Sequence, residues 1–202
     1  LVVGAMHAGE DRRGRAHVYR REEGGLVEAF RIGARPTGVD LGQFFVSEIG
    51  DVDGDGVPDV YAADFSDTAN PGPRGAGGGC AYLHSGADGS LLRVLTGDSR
   101  GEGFGIGKAV CGDVDGDARA DLIVGAWTNS ERAAMAGKAY LVSGAGGAAR
   151  RTFTYTIGGA AFGFDAVGMG DVDGDDETDF LLTAAFEADK AGRVLLVAGE
   201  PR

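Results

Sequence analysis

Histidine, cysteine and proline are scarce in this 202-residue chain: three, two and five residues respectively. His7, His17 and His84 fall at unrelated places, and none pairs by motif with a nucleophilic serine or cysteine. No G-x-S-x-G elbow occurs, so the expectation is a protein without its own catalysis. Cys80 and Cys111 permit one disulfide or two buried thiols, and the sequence leaves both open. No apolar run approaches the length of a membrane span, and no signal peptide is recognisable, so direct membrane insertion is not expected. No basic cluster could follow a phosphate backbone, which excludes nucleic acid as an expected partner. Helical periodicity is also lacking; only ERAAMA at 131–136 reads as a single helical turn.

Glycine, with 38 residues, is abundant, beside 43% hydrophobic residues and no low-complexity run. That mixture predicts many short strands joined by tight turns. Three phrases dominate the rest: DVDGDGVPD at 51–59, DVDGDARAD at 113–121 and DVDGDDETD at 171–179. Each carries aspartate at its first, third, fifth and ninth positions. Those twelve aspartates account for the net charge of −12: taking them from the 31 acids leaves 19, the number of Lys plus Arg. The acidity is local to the phrases.

Four carboxylates within nine residues repel one another unless a cation lies among them. A hard ion with many oxygen ligands in a flexible cage fits best, hence calcium at three sites. The expected ligands are the side chains of Asp51, Asp53, Asp55 and Asp59 with the Val57 carbonyl. The second set is Asp113, Asp115, Asp117 and Asp121 with the Arg119 carbonyl. The third is Asp171, Asp173, Asp175 and Asp179 with the Glu177 carbonyl. The sixth position of each phrase asks for a left-handed backbone, which suits Gly56 and Asp176 better than Ala118 and ranks the second site weakest. An EF-hand needs a bidentate Glu at its twelfth position, where this chain has Ala62, Val124 and Leu182. The competing reading of three solvated Asp-Gly turns is disfavoured by the fourth carboxylate, which recurs every time. The apparent ligand set leaves little room for substrate, so a structural ion is expected. Sites of this kind fill near ~10⁻⁴–10⁻³ M calcium, which favours a secreted or cell-surface location.

The phrases recur after 62 and then 58 residues. A glycine-punctuated strand (A) precedes each: GQFFVSEIG at 42–50, FGIGKAVCG at 104–112 and FGFDAVGMG at 162–170. Strand B follows, as VYAA at 60–63, LIVGA at 122–126 and FLLTAA at 180–185, with LVVGA at 1–5 as a further copy. Strand C is GRAHVYR at 14–20, GCAYLHSG at 79–86, GKAYLVSG at 137–144 and GRVLLVAG at 192–199. Strand D is LVEAFRIG at 26–33, LLRVLTG at 91–97 and RRTFTYTIG at 150–158. Fourteen strands with a period of about 60 residues and four strands per unit read as an all-β fold, a β-propeller of four-stranded antiparallel blades. Residues 1–202 form a single propeller domain or fragment: partial blade 1–33, blades 42–97 and 104–158, and partial blade 162–199.

The pattern FG…GDVDGD…DLIVGA, best preserved from Phe104 to Ala126, resembles the FG-GAP repeat of integrin α-subunit propellers, found also in many secreted bacterial proteins. The resemblance covers the whole chain. It departs at 42–63, where Gly42-Gln43 replaces Phe-Gly, so that inner strand is expected to be distorted. The family's GAP proline is replaced by Met6, Asp64, Trp127 and Phe186 or its neighbour. Rings of the family usually have seven blades, against about three and a half here. The expectation is therefore a fragment, a small ring, or half of an assembled pair; the start at LVVGA, in mid-repeat and without methionine, reads as a piece of something longer.

Strand alternation puts the aspartate (A–B) loops and C–D turns on one face and the B–C and D–A loops on the other. The second face gathers the long irregular segments 6–13, 64–78, 127–136 and 186–191, and the resemblance implies that it meets a protein or glycan partner. Phe65, Arg74, Trp127 and Arg132 are the candidate contacts, although Trp127 and Phe65 suit packing between blades better and the two arginines suit plain solvation. The Gly-rich stretch 75–79 lacks the Lys-Ser/Thr of a nucleotide loop and reads as a plain loop. The function expected is a calcium-binding extracellular adhesion module. The alternatives are an accessory propeller of a secreted hydrolase or polysaccharide lyase, and a half-ring that assembles.

Overall fold

A computed structural model describes residues 1–72 and 77–200. The chain folds as β1 (Val2–Ala5), β2 (Arg15–Glu22), β3 (Gly25–Gly33), β4 (Val46–Glu48), β5 (Val60–Asp64), β6 (Cys80–His84), β7 (Leu91–Leu95), β8 (Phe104–Gly112), β9 (Asp121–Ala126), β10 (Lys138–Val142), β11 (Ala149–Thr154), β12 (Phe162–Gly170), β13 (Asp179–Ala184), the single turn α1 (Glu187–Lys190) and β14 (Arg193–Val197). These make four antiparallel meanders in sequence order: β1-β2-β3, β4-β5-β6-β7, β8-β9-β10-β11 and β12-β13-β14. The fourteen strands expected from the repeats are all present, with inner strand A as β4, β8 and β12.

Each sheet packs on the next because strand B alternates apolar residues to both faces. Val60 and Ala62 of β5, with Tyr82 and Cys80, meet Ala16, Val18 and Ile32 of the first sheet. Tyr61 and Ala63, with Leu83 and Ile49, meet Phe104, Leu122, Val124 and Tyr140 of the third. Ile123, Leu141, Cys111 and Phe153 then meet Phe180, Leu182 and Ala184 of the fourth. Burying both faces explains why β5 and β9 read as unbroken apolar runs rather than strict alternation.

Gly125 interrupts β9 because the neighbouring sheet leaves no room for a side chain. A Cβ there would lie 1.7 Å from the Gly163 carbonyl oxygen and 2.5 Å from that of Ile106. Gly4, its counterpart in β1, stands in the same relation to the Gly42 carbonyl, at 2.2 Å. The glycine of LIVGA is therefore a sheet-to-sheet contact.

Three expectations resolve here. Strand A of the 42–50 copy is short, three residues, as its missing Phe-Gly foretold. Cys80 and Cys111 are buried thiols in different core clusters and form no disulfide with each other, each pushed up to about 12 by burial. The helical turn expected at 131–136 is a correction: that segment is a non-helical turn with Met135 at φ 51°, and the turn of helix lies at Glu187–Lys190. Buried Glu187 is fixed there by Tyr155 and by Arg193 at 2.7 Å, so tertiary contacts rather than propensity select the helical turn.

Candidate metal centre

The three aspartate phrases occupy the connections β4–β5, β8–β9 and β12–β13. In each, the aspartates at positions one, three and nine converge: Asp51, Asp53 and Asp59; Asp113, Asp115 and Asp121; Asp171, Asp173 and Asp179. One oxygen from each lies within 4.8 Å of the other two. The three clusters can hold a metal ion, and an all-carboxylate oxygen set suits a hard cation.

The loop geometry comes from the sequence. The first aspartate caps the turn: Asp51 accepts from Gly54 N at 2.5 Å and Gly56 N at 2.9 Å, Asp113 from Gly116 and Ala118, and Asp171 from Gly174 and Asp176. The sixth position is left-handed in every copy, with Gly56 at φ 85°, Ala118 at 65° and Asp176 at 66°. The ninth aspartate is buried and ties the loop to the backbone just past strand C of its own sheet. Asp59 accepts from Val52 N at 2.8 Å and Gly86 N at 2.9 Å; Asp121 accepts from Val114 N and Gly144 N; Asp179 accepts from Val172 N and Gly199 N, both at 2.8 Å. Sequence reasoning gave this residue one role, as ligand, and missed the second.

The fifth-position aspartates stand apart from the clusters. Asp55, Asp117 and Asp175 each accept from the backbone N–H two residues on, those of Val57, Arg119 and Glu177. Arg119 also sends its side chain across to the first loop. Arg150 pairs with Asp115 at 3.3 Å.

Electrostatics mark these carboxylates as crowded. Burial pushes Asp59 and Asp121 above the usual carboxylate range, against the backbone donors that favour ionisation. Burial and then repulsion from Asp175, Asp179 and Asp171 push Asp173 up. Burial works the same way on Asp51, but the Gly56 and Gly54 N–H groups, with the Arg119 charge, hold it below the ordinary value.

The opposite face carries the B–C and D–A loops, stitched by Thr128 N to Glu102 O and by Gly103 N to Gly77 O. Here Phe65 packs on Phe44 (centroids 5.5 Å apart) and Trp127, and Trp127 packs edge-on to Phe164 and Phe186. The result is an aromatic arc running across three sheets, with Phe44 and Phe186 largely exposed. Phe65 and Trp127 thus come together between sheets, while Arg132 lies apart, exposed, beside Glu131 at 3.7 Å. Arg74 lies outside the described residues. Phe44 and Phe164 went unnoticed in the sequence; both occupy the place of Ile106 when the A strands are aligned, and that apolar position was the available signal.

The same face carries a polar network that runs from buried Glu102, Asn129, Lys138 and Tyr140 out to exposed Asp98 and Glu131. The Tyr140 hydroxyl lies 2.7 Å from Asp98 and 2.8 Å from Glu102 and shares its one proton between them, Asn129 donates to Glu102 at 2.6 Å, and Lys138 donates to Asp98 and Glu131. In the second sheet Tyr82 donates to Asp67 at 2.6 Å.

No protein-family model matches this chain, and no curated protein matches it. Solved structures do. The Dos1 propeller superposes over 89% of this chain with a TM-score of 0.51 at 12% identity. The fold is a β-propeller. The chain spans 41% of that propeller's own length, and at this identity the likeness speaks for the fold alone. The four meanders are therefore blades arranged around an axis, with β4, β8 and β12 innermost and both loop faces at its ends.

Proposed function

We propose that this chain is a calcium-stabilised propeller module of the FG-GAP, integrin α-like type, secreted or displayed at a cell surface. It binds a protein or glycan partner through the face opposite the aspartate loops. The observation that carries the reading is the threefold recurrence of one carboxylate cluster, each bridging strands A and B and tied by its ninth aspartate to the backbone just past strand C. A cation there relieves the crowding of Asp59, Asp121 and Asp173 and fixes the blade edge. The residues suited to hold it are those three clusters, and the ion supplies charge neutralisation and cross-linking rather than chemistry on a substrate.

The role is binding rather than catalysis. Exposed aromatics on a rigid scaffold suit a protein surface or a sugar ring; Phe44 and Phe186 supply them, with half-buried Trp127 packed between. The test is a binding screen against glycans and matrix proteins, run with calcium and with chelator. A ligand bound in calcium, lost in chelator and weakened at least ten-fold by Trp127→Ala supports the reading. A folded protein with no ligand in either buffer overturns the adhesion role.

A further inference from the structure

Tyr140 of β10 stands between two carboxylates with one proton for two short contacts. Its hydroxyl oxygen lies 2.7 Å from Asp98 Oδ1 and 2.8 Å from Glu102 Oε2, and the Asp98 N–H donates to it at 3.3 Å. A phenol carries a single O–H. With both carboxylates ionised, one contact would set two oxygens at hydrogen-bond distance with no hydrogen between them. Two other tyrosines that meet acids show no such conflict. Tyr82 meets Asp67 alone, and Tyr155 meets Glu187, which Arg193 pairs. The geometry at Tyr140 requires one more proton.

The surroundings decide which carboxylate holds it. Asp98 is 58% exposed, with Lys138 at 2.7 Å and the Ser99 hydroxyl at 2.9 Å. Burial opposes its ionisation, but the hydrogen bonds from Lys138, Tyr140 and Ser99 keep it below the ordinary carboxylate range. Glu102 is 1% exposed, and among the described residues no cation pairs with it. It accepts from the Ser99 N–H at 2.9 Å and from the Asn129 amide at 2.6 Å; Asn129 Oδ1 in turn accepts from Glu131 N. Burial pushes Glu102 above the usual range against those donors, and repulsion from Asp98 adds to the rise. Lys138 and Glu131, the remaining charges here, pair with each other.

We propose that Glu102 is a protonated acid in the folded chain, and that its proton latches the D–A loop 97–103 to the B–C loop 127–136. Glu102 Oε2–H donates to the Tyr140 oxygen, and the Tyr140 O–H donates to Asp98. When Glu102 gives its proton to water, Tyr140 can serve only one carboxylate, and exposed Asp98 parts from it. Glu102 also holds Thr128 N through its carbonyl, and the next residue, Gly103, lies against the Trp127 indole: a Cβ there would fall 2.6 Å from Nε1. Loss of the proton therefore loosens the loops around Trp127, on the face opposite the aspartate phrases. A group raised on folding adds stability that is complete below its unfolded value and lost as pH climbs through the folded one. The latch is closed on the acid side. This inference rests on hydrogen-bond geometry and stands apart from the calcium and partner readings.

Carbon-13 NMR of the whole chain, with labelled glutamate carboxyls, tests it by titration. One glutamate should keep its proton after the exposed ones have lost theirs, and Glu102→Gln should remove that signal. Asp98→Asn frees the Tyr140 proton for Glu102 alone and should lower the mid-point. The indole N–H signal of Trp127, the sole tryptophan, should shift with the same mid-point and stay still in Glu102→Gln. Glutamates that all titrate together in the wild type overturn the proposal without recourse to any variant. A late-titrating signal that survives Glu102→Gln overturns it too. A Glu102 proton whose loss leaves Trp127 unmoved overturns the latch.

Discussion

Arg119 of the second aspartate loop lies directly over Gly54 of the first. A Cβ placed on Gly54 would fall 2.5 Å from both guanidinium Nη atoms, and Nη1 is buried without a hydrogen-bond partner among the described residues. Adjacent loops are thus in contact: one residue gives its backbone N–H to Asp117 of its own loop and its charge to the neighbour, beside Asp51.

Arg119→Ala should strengthen cation binding at the first loop, because a guanidinium beside Asp51 competes with the ion. The effect should be a modest tightening, of the size usual for solvent-screened charge pairs. Calorimetric calcium titration of the variant should show one site tightened and the third loop unchanged. Weakening of the first site would mean that Arg119 organises the loop rather than competing.

The ninth and third aspartates should separate scaffold from ligand. Asp59→Ala strands the buried Val52 and Gly86 N–H groups, about 1–3 kcal/mol each, and lowers the melting temperature in calcium and in chelator alike. Asp53→Ala removes only an acceptor for Asp55 N in an exposed loop. It should stay within about 0.5 kcal/mol of wild type in chelator and lose stability only in calcium. Thermal melts of both variants in both buffers check this.

The strands, their order and the loop conformations were legible because each repeat states them in residues with few conformational options. Asp-x-Asp-Gly-Asp fixes the loop, and glycines mark where backbones meet. The contacts between segments distant in sequence were not legible. The reach of Arg119 to Gly54, the tie from Asp59 to Gly86 and the Tyr140–Glu102–Asp98 network all join residues far apart in sequence, and no local spacing encodes them. The misplaced helical turn has the same cause: ERAAMA has the propensity, but Glu187 has the Tyr155 and Arg193 contacts.

Gly125→Ala should cost about 3 kcal/mol or more, since its methyl meets the Gly163 carbonyl and must push two blades apart. Gly146→Ala is the control: its nearest neighbour is 3.6 Å away, and stability should change by less than about 0.5 kcal/mol. Urea unfolding of the two variants makes the comparison. Equal stabilities would show that the blades do not approach closely at Gly125.

The fold should fail at alkaline pH. Burial raises Tyr61, Tyr82 and Tyr140 above the ordinary 10.0. Burial opposes Lys138, but its hydrogen bonds to Asp98 and Glu131 overcome that and raise it above 10.5. Groups raised in the folded state contribute stability that is complete below their unfolded values and lost as pH climbs past them. Melting temperature should therefore fall from about pH 10 upward. Tyr140→Phe should flatten the decline while costing about 1–3 kcal/mol at neutral pH, where Glu102 and Asp98 lose their shared partner. A melting temperature that stays level to about pH 11 would contradict the polar network.

The most direct measurement is calcium stoichiometry by calorimetry, paired with thermal melts in calcium, magnesium and chelator. The account predicts three calcium ions per chain, one per cluster, filling near ~0.1–1 mM. It predicts a gain of roughly 1.4 kcal/mol per site at ten-fold excess over Kd, and little response to magnesium. No bound ion, with one melting temperature in all three buffers, would contradict it.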